Sequence, residues 1–121
     1  MSYSSQIRDV IEESDVALFM KGNPSFVMCG NSDRALQALR QAGAPVTAVD
    51  ILPDPQIRQD LSEISGWPTI PQVFVKGELV GGADIVQELA ESGELEQLLR
   101  ERLGEDYADA RAEQTVALAS A

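Results

Sequence analysis

The sequence predicts an α/β fold in which a four-stranded mixed sheet is flanked by helices on both faces. Short apolar runs of strand length alternate along the chain with stretches whose apolar residues recur at helical spacing. The chain has 121 residues, the size of one domain, and 44% of them are hydrophobic, which is enough for a packed core. A tight turn at Lys76-Gly77 predicts that two of the strands form a hairpin.

The first half of the chain contains an opening helix followed by a β-α-β unit. Ile7, Val10 and Ile11 recur at helical spacing, and Ser4 or Ser5 precedes them in the position of a helix cap. The elements that follow are a buried strand at residues 16–20, a loop at 21–30, a helix at 31–42 that ends at Gly43, and a second buried strand at 46–51. We expect these two strands to form a right-handed parallel crossover.

The second half of the chain contains a helix, a hairpin and two further helices. Asp54 caps the first of these helices, and Pro55 occupies its first position, where the missing N–H costs nothing. The remaining elements are a helix end at Gly66, strands at 73–75 and 79–80, a helix that Asp84 caps, and a last helix that ends at Gly104. We therefore expect one packed domain at residues 1–104. Residues 105–121 are alanine-rich and polar, which predicts a flexible tail.

The charge and the residue counts exclude several classes of function. The chain has 9 Lys and Arg residues against 20 Asp and Glu residues, a net charge of -11, whereas binding to nucleic acids and anionic membranes relies on clustered basic charge. It has no histidine, which excludes Ser-His-Asp and Cys-His catalysis and histidine metal sites. No apolar run can span a bilayer, the N-terminus lacks a signal-peptide core, and a single cysteine forms no internal disulfide, so we expect a cytoplasmic protein.

Cys29 is the one thiol of the chain and the main candidate for a functional residue. It ends a loop and precedes the helix at 31–42, whose first backbone amides carry partial positive charge and stabilise a thiolate. A lone cysteine is more often a small buried hydrophobic residue, but Gly30, Asn31 and Ser32 are loop and capping residues. Because Ser32 stands where a dithiol motif has its second cysteine, any sulfur partner of Cys29 comes from another molecule.

Three further features have both a structural and a functional interpretation. In the run WPTIPQ, Pro71 precedes a strand, where a cis proline exposes a backbone edge to an extended peptide, although a trans turn proline is the commoner case. Gly81 and Gly82 allow a ligand or a backbone segment to approach closely, just before a helix start whose amides can receive a carboxylate. Glycines are also expected where the chain leaves a hairpin, which is the structural interpretation. Lys21 and Arg58 are either solvated surface charges or anion-binding groups near the thiol.

Five collinear segments of the chain resemble the monothiol glutaredoxins. The segments are 18–22 (LFMKG), 29–32 (CGNS), 57–59 (IRQ), 67–72 (WPTIPQ) and 76–85 (KGELVGGADI). Their common order and spacing extend the similarity over residues 5–103 and make it more specific than any single motif. The resemblance implies a thioredoxin-like fold, in agreement with the predicted elements, and a cis peptide bond before Pro71.

The same resemblance implies a binding site for glutathione. The residues that match the family's glutathione-binding positions are Lys21, Arg58, Ile70, Pro71, Ala83 and Asp84. Lys21 and Arg58 match the groups that hold the glycyl carboxylate, and the backbone of Ile70 matches the one that pairs with the cysteinyl part. Asp84 matches the group that faces the ammonium of the γ-glutamyl end, beside helix-start amides that face its carboxylate. A tripeptide with two carboxylates and one amine needs this set of charges.

The resemblance also implies that Cys29 ligates a [2Fe-2S] cluster. In that arrangement two protomers each supply Cys29, two glutathione molecules supply the other two thiolates, and the cluster passes on to apo iron-sulfur proteins. The chain departs from the family pattern twice: Asn31 stands where the family has Phe, and Ala83 stands where it often has Cys. The alternatives are a glutathione-dependent thiol-disulfide oxidoreductase that uses Cys29, and a glutathione-binding module without turnover.

Overall fold

The computed structural model describes residues 2–109 and 113–119 of the chain. Within them the helices are α1 (Ser4–Glu13), α2 (Gly30–Gln41), α3 (Pro55–Ser65), α4 (Ala83–Ser92) and α5 (Glu94–Leu103). The strands are β1 (Val16–Met20), β2 (Gly22–Asn23), β3 (Phe26–Val27), β4 (Val46–Asp50), β5 (Gln72–Val75), β6 (Glu78–Gly81) and β7 (Gln114–Thr115).

β1 lies at the centre of a five-stranded mixed sheet. The strand order is β6-β5-β1-β4-β7, with β1 parallel to β4 and antiparallel to β5. All residues of β1 are buried, because the strand has neighbours at both edges and helices on both faces. The predicted class, an α/β fold with helices on both faces of a mixed sheet, is confirmed. The predicted number of strands is wrong, since the sheet has five strands rather than four.

The sheet separates two hydrophobic clusters. Leu18 and Met20 of β1 pack in the cluster that contains residues of α2, α4 and α5, whereas Phe19 packs in the cluster that contains residues of α1 and α3. Successive side chains of a strand point to opposite faces, which explains this division. In the second cluster the rings of Phe19 and Phe74 meet edge-on, with centroids 5.8 Å apart. The two clusters fix the carboxyl end of β1, where the chain turns towards Cys29.

The segment between β1 and α2, predicted as a loop, contains a small hairpin of β2 and β3. Gly22 begins this hairpin with a φ angle of 91°, and a Cβ atom there would clash with the Phe26 carbonyl oxygen, so the position requires glycine. The Met28 amide donates to the Lys21 carbonyl oxygen at 2.9 Å. The hairpin therefore returns the chain to the end of β1 immediately before Cys29.

The starts of α1 and α3 give one wrong and one confirmed prediction about capping. Asp54 caps α3 as predicted, because its Oδ1 accepts the Gln56 amide at 2.9 Å. Neither Ser4 nor Ser5 caps α1, because both lie within the helix, and Tyr3 occupies the cap position without a side-chain cap. The Tyr3 amide donates to Asp60 Oδ2 at 2.7 Å instead. A long-range contact with α3 thus sets the start of α1, and local sequence does not reveal such a contact.

Residues 113–119, predicted to belong to a flexible tail, lie against the edge of β4. β7 pairs with β4 in parallel, and the Val116 amide donates to the Ala48 carbonyl oxygen at 2.9 Å. The edge of β4 presents backbone groups that a polar segment can pair with, and this pairing needs no apolar strand pattern. The domain boundary at residue 104 stays a prediction. Residues 1, 110–112, 120 and 121 lie outside the described residues.

Two side-chain contacts hold the C-terminal segment to α2 and to Ala42, the residue that follows this helix. The buried Tyr107 hydroxyl donates to the Ala42 carbonyl oxygen at 2.6 Å. Arg40 donates to both carboxylate oxygens of Glu113, at 2.9 and 2.6 Å, and this bidentate contact lowers the pKa of the Glu113 carboxyl. The described part of the segment is therefore anchored on both sides of residues 110–112.

Replacing Tyr107 by Phe is expected to lower the free energy of unfolding by about 1 kcal/mol, because the buried Ala42 carbonyl loses this donor. Urea unfolding followed by circular dichroism measures the change. A Tyr107→Phe variant with the unfolding midpoint of the wild type would contradict the proposed anchoring of residues 105–109.

Candidate functional site

Cys29 is the N-cap residue of α2. Its backbone is extended, with φ -155° and ψ 132°, and its carbonyl oxygen accepts the Asp33 amide at 3.0 Å. The Cys29 residue is half-buried. The structure therefore places the thiol beside the amides of the first helical turn, where the sequence predicts it.

Polar groups at the start of α2 lower the pKa of the Cys29 thiol below its ordinary value. The backbone amide of Ser32 has the largest effect; the Asn31 amide, the Ser32 hydroxyl and the charge of Lys21 act in the same direction, and partial burial opposes them. All four favourable groups stabilise the thiolate. The thiolate is the form of cysteine that attacks disulfides and binds metal ions, so the site is built for sulfur chemistry.

Ser32 connects the thiol to the end of β1. It is fully buried, and its hydroxyl oxygen accepts the Lys21 amide at 3.0 Å. The Gly22 amide donates to Asp50 Oδ1 at 3.0 Å, at the end of the neighbouring strand β4. These two bonds fix the backbone around Lys21, so the structure brings the positive charge of Lys21 beside Cys29.

A groove of about 400 Å³ lies beside the start of α2. The residues that line it are Asn31, Arg34, Trp67, and residues 69–71 and 82–85. It therefore brings together four residues singled out in the sequence, namely Ile70, Pro71, Ala83 and Asp84. The peptide bond between Ile70 and Pro71 is cis. This agrees with the family resemblance and not with the general frequency of X-Pro bonds.

Lys21, Cys29 and Arg58 lie outside the lining of the groove. Lys21 and Cys29 adjoin it through the first turn of α2. The Arg58 side chain is exposed, and its Nη2 donates to the Pro68 carbonyl oxygen at 3.4 Å. Arg58 thus lies against the same segment as Pro71, at the border of the groove rather than in its wall.

Close packing between the start of α4 and residues 67–71 shapes the groove. A Cβ atom at Gly82 would lie 3.2 Å from the Pro71 carbonyl oxygen and 3.3 Å from Trp67 Nε1, so glycine permits this approach. The fully buried Gln72 side chain donates to the carbonyl oxygens of Trp67 at 2.8 Å and of Thr69 at 3.2 Å. Gln72, which was not predicted as a site residue, therefore holds this wall in place.

Arg34 is a groove residue that the sequence reasoning missed. Its guanidinium donates to Asp84 Oδ1 and to Gln87 Oε1, both at 2.6 Å, and to Asn31 Oδ1 at 3.1 Å. The prediction that Asp84 caps α4 is wrong, because Gly82 is the cap residue and the Asp84 carboxylate pairs with Arg34. The sequence contains one weak signal of this network, the spacing of Asn31 and Arg34 by one helical turn.

The described residues set limits on membrane and metal sites. In residues 2–109 and 113–119, no helix has the length and apolar character needed to cross a membrane. The same residues contain no group of three or more Cys, Asp or Glu side chains placed to hold a metal ion.

A thioredoxin-like α/β fold with a thiol at a helix start defines the class of this protein, and comparisons with known proteins specify it further. The glutaredoxin family model matches residues 16–80. Glutaredoxin 4 of Haemophilus ducreyi is 46% identical over 101 residues, which cover 84% of this chain and 94% of that protein. The probable monothiol glutaredoxin GrlA of Legionella pneumophila is 51% identical over 84 residues, which cover 69% of this chain and 94% of that protein. The chain belongs to the glutaredoxin family and is of the monothiol type.

A solved structure agrees with this assignment. The solution structure of a monomeric truncated mutant of Trypanosoma brucei 1-C-Grx1 matches with a TM-score of 0.74 and 44% sequence identity. The match covers 84% of this chain and 91% of that chain. The thioredoxin-like fold implied by the sequence resemblance is confirmed.

Replacing Ser32 by Ala is expected to raise the pKa of the Cys29 thiol, because the hydroxyl that stabilises the thiolate is lost. Lys21→Gln is expected to raise it as well, but by less, since the charge of Lys21 has the smaller effect. The measurement is the rate of Cys29 alkylation by iodoacetamide as a function of pH. Lys76→Gln removes one charge at the β5-β6 turn and serves as the control. Alkylation profiles that coincide in all four proteins would contradict this account of the thiolate.

Proposed function

We propose that this monothiol glutaredoxin binds glutathione beside Cys29 and, as a dimer, holds and transfers a [2Fe-2S] cluster in the cytoplasm. The observation that carries the proposal is the thiolate-stabilising position of Cys29, the only cysteine of the chain, next to a groove with a charged end. The cluster is the cargo of the protein, and apo iron-sulfur proteins are its recipients.

The charges around the groove match those of glutathione. Lys21 lies beside the thiol, and Arg58 lies at the border of the groove, so both are available to the glycyl carboxylate. Ile70 offers its backbone beside Pro71 to the cysteinyl part of the tripeptide. The start of α4, with Ala83 and Asp84 in the groove wall, is available to the γ-glutamyl end. In a protein with a net charge of -11, these local cations are needed to attract a ligand that carries two carboxylates.

Thiol counting supports the dimer. A [2Fe-2S] cluster with thiolate ligands needs four of them, and one chain supplies one. Two chains and two glutathione molecules complete the set, with each glutathione placing its sulfur beside Cys29. The chain's own residues bind and orient glutathione and keep Cys29 deprotonated, while the cluster supplies the iron-thiolate bonds that join the protomers.

A second function is favoured by the lowered pKa of Cys29. As a thiolate, Cys29 can attack the glutathionyl sulfur of a mixed disulfide, which forms a Cys29-glutathione disulfide and releases the substrate thiolate to take up a proton. A second glutathione, as its thiolate, then attacks that disulfide, leaves as glutathione disulfide and restores the Cys29 thiolate. The exposed Asn31, in place of Phe, gives less apolar cover beside the thiol and is compatible with this route.

Wild-type protein reconstituted with iron, sulfide and glutathione is expected to be coloured and dimeric. Cys29→Ser is expected to lose the colour and the dimer together, because a hydroxyl is a poor substitute for a thiolate on iron. Size-exclusion chromatography monitored at protein and cluster wavelengths tests this. Ser5→Ala, at an exposed position of α1, retains the Cys29 sulfur and serves as the control. A coloured monomer, or a Cys29→Ser dimer, would exclude the shared cluster and favour the oxidoreductase or a binding module without turnover.

Replacing Arg58 by Ala is expected to weaken glutathione binding about threefold to tenfold, the range for an exposed charge-assisted contact. Lys21→Ala is expected to have at least as large an effect, since Lys21 is less exposed. Titration calorimetry at constant ionic strength measures both affinities, with Lys76→Ala as the charge-matched control. Affinities equal to that of the wild type in both variants would remove Lys21 and Arg58 from the site.

A further inference from the structure

Arg34 joins the starts of two helices across one end of the groove. From α2, its guanidinium reaches Asp84 Oδ1 at 2.6 Å and Gln87 Oε1 at 2.6 Å on α4. It also donates to Asn31 Oδ1 at 3.1 Å on its own helix. Arg34 and Asp84 both line the groove, so an oppositely charged pair lies at the end that the γ-glutamyl group would occupy.

The ion pair between Arg34 and Asp84 is easily opened. The side chains are 41% and 86% exposed, and exposed ion pairs contribute little to stability because water competes for both charges. The guanidinium keeps two other acceptors, Gln87 and Asn31, when Asp84 turns away. Three of its N–H groups are used in the structure, so two of the five that arginine carries remain for a ligand.

We propose that Arg34 is a specificity-determining residue that selects a thiol ligand with a zwitterionic α-amino-acid end. When the ligand binds, the ion pair opens; Asp84 takes the ligand's ammonium and Arg34 takes its α-carboxylate. This inference rests on the proposed binding of glutathione, whose γ-glutamyl end carries these two groups. In this arrangement the α-carboxylate contacts the Arg34 guanidinium in addition to the backbone amides at the start of α4.

The physical reason is the exchange of charges. A ligand that carries only an ammonium takes Asp84 away from Arg34. The Arg34 guanidinium then has no counter-charge and lies beside the ligand's ammonium, a second cation. A ligand with a carboxylate alone leaves Asp84 unpaired beside a second anion. A zwitterion gives each side chain a new partner of opposite sign. The site therefore discriminates against ligands that carry only one of the two charges.

The experiment measures affinities for glutathione and for γ-aminobutyryl-cysteinyl-glycine, which lacks only the α-carboxylate of the γ-glutamyl group. Titration calorimetry is carried out on the wild type, on Arg34→Gln, and on Arg8→Gln as the charge-matched control at an exposed position of α1. The wild type and Arg8→Gln are expected to prefer glutathione. In Arg34→Gln this preference is expected to fall by about fivefold, the effect of losing a partly exposed charge-assisted contact.

Each outcome decides the inference. A preference ratio in Arg34→Gln equal to that of the wild type overturns it, because the carboxylate then binds elsewhere. Tighter glutathione binding by Arg34→Gln also overturns it and makes Arg34 a competitor for Asp84. If the wild type binds no glutathione, the proposed function fails and the inference falls with it. If the wild type binds glutathione but Arg34→Gln has the same preference ratio as the wild type, the proposed function stands and only the inference about Arg34 fails.

Discussion

The stabilisation of the Cys29 thiolate by the polar groups of the first turn of α2 is the interaction on which the rest of the site depends. The net charge of -11 disfavours a thiolate, but much of it lies on the surface and is screened beyond about 8 Å at physiological ionic strength. The amides of Asn31 and Ser32 belong to the first turn of the helix that Cys29 caps, and the helix itself holds them in place. These local donors therefore outweigh the general charge, and the pKa of Cys29 falls.

The fold positions these donors by connecting α2 to the centre of the sheet. β1 is buried along its whole length, and Ser32 receives the amide of Lys21, which directly follows this strand. The hairpin from Gly22 to Val27 lets the chain leave β1 and return to its end. On the other side, Gly82 and Gln72 hold the wall that contains the cis bond. The same packed elements thus position both the thiol and the groove.

The sequence predicts what depends on local pattern and fails where distant segments meet. The run at β1, the Asp54 cap and the position of Cys29 before a helix follow from apolar spacing and residue type. β7 has no strand pattern, since it depends on the edge that β4 offers. The pairing of Arg34 with Asp84 joins residues 50 positions apart, and only the packing of α2 on α4 brings them together. The glutathione-binding residues are predicted by the family resemblance and not by local pattern. For Pro71, the general frequency of X-Pro bonds alone favours a trans peptide bond.

Native mass spectrometry of the protein reconstituted with iron, sulfide and glutathione tests the central claim most directly. The account predicts a loaded species whose mass equals two chains, two glutathione molecules and one [2Fe-2S] cluster, because only that composition supplies four thiolates from chains with one cysteine each. Loss of glutathione from this species in the gas phase should be accompanied by loss of the cluster. A loaded species with one chain, or with two chains and no glutathione, would contradict the account.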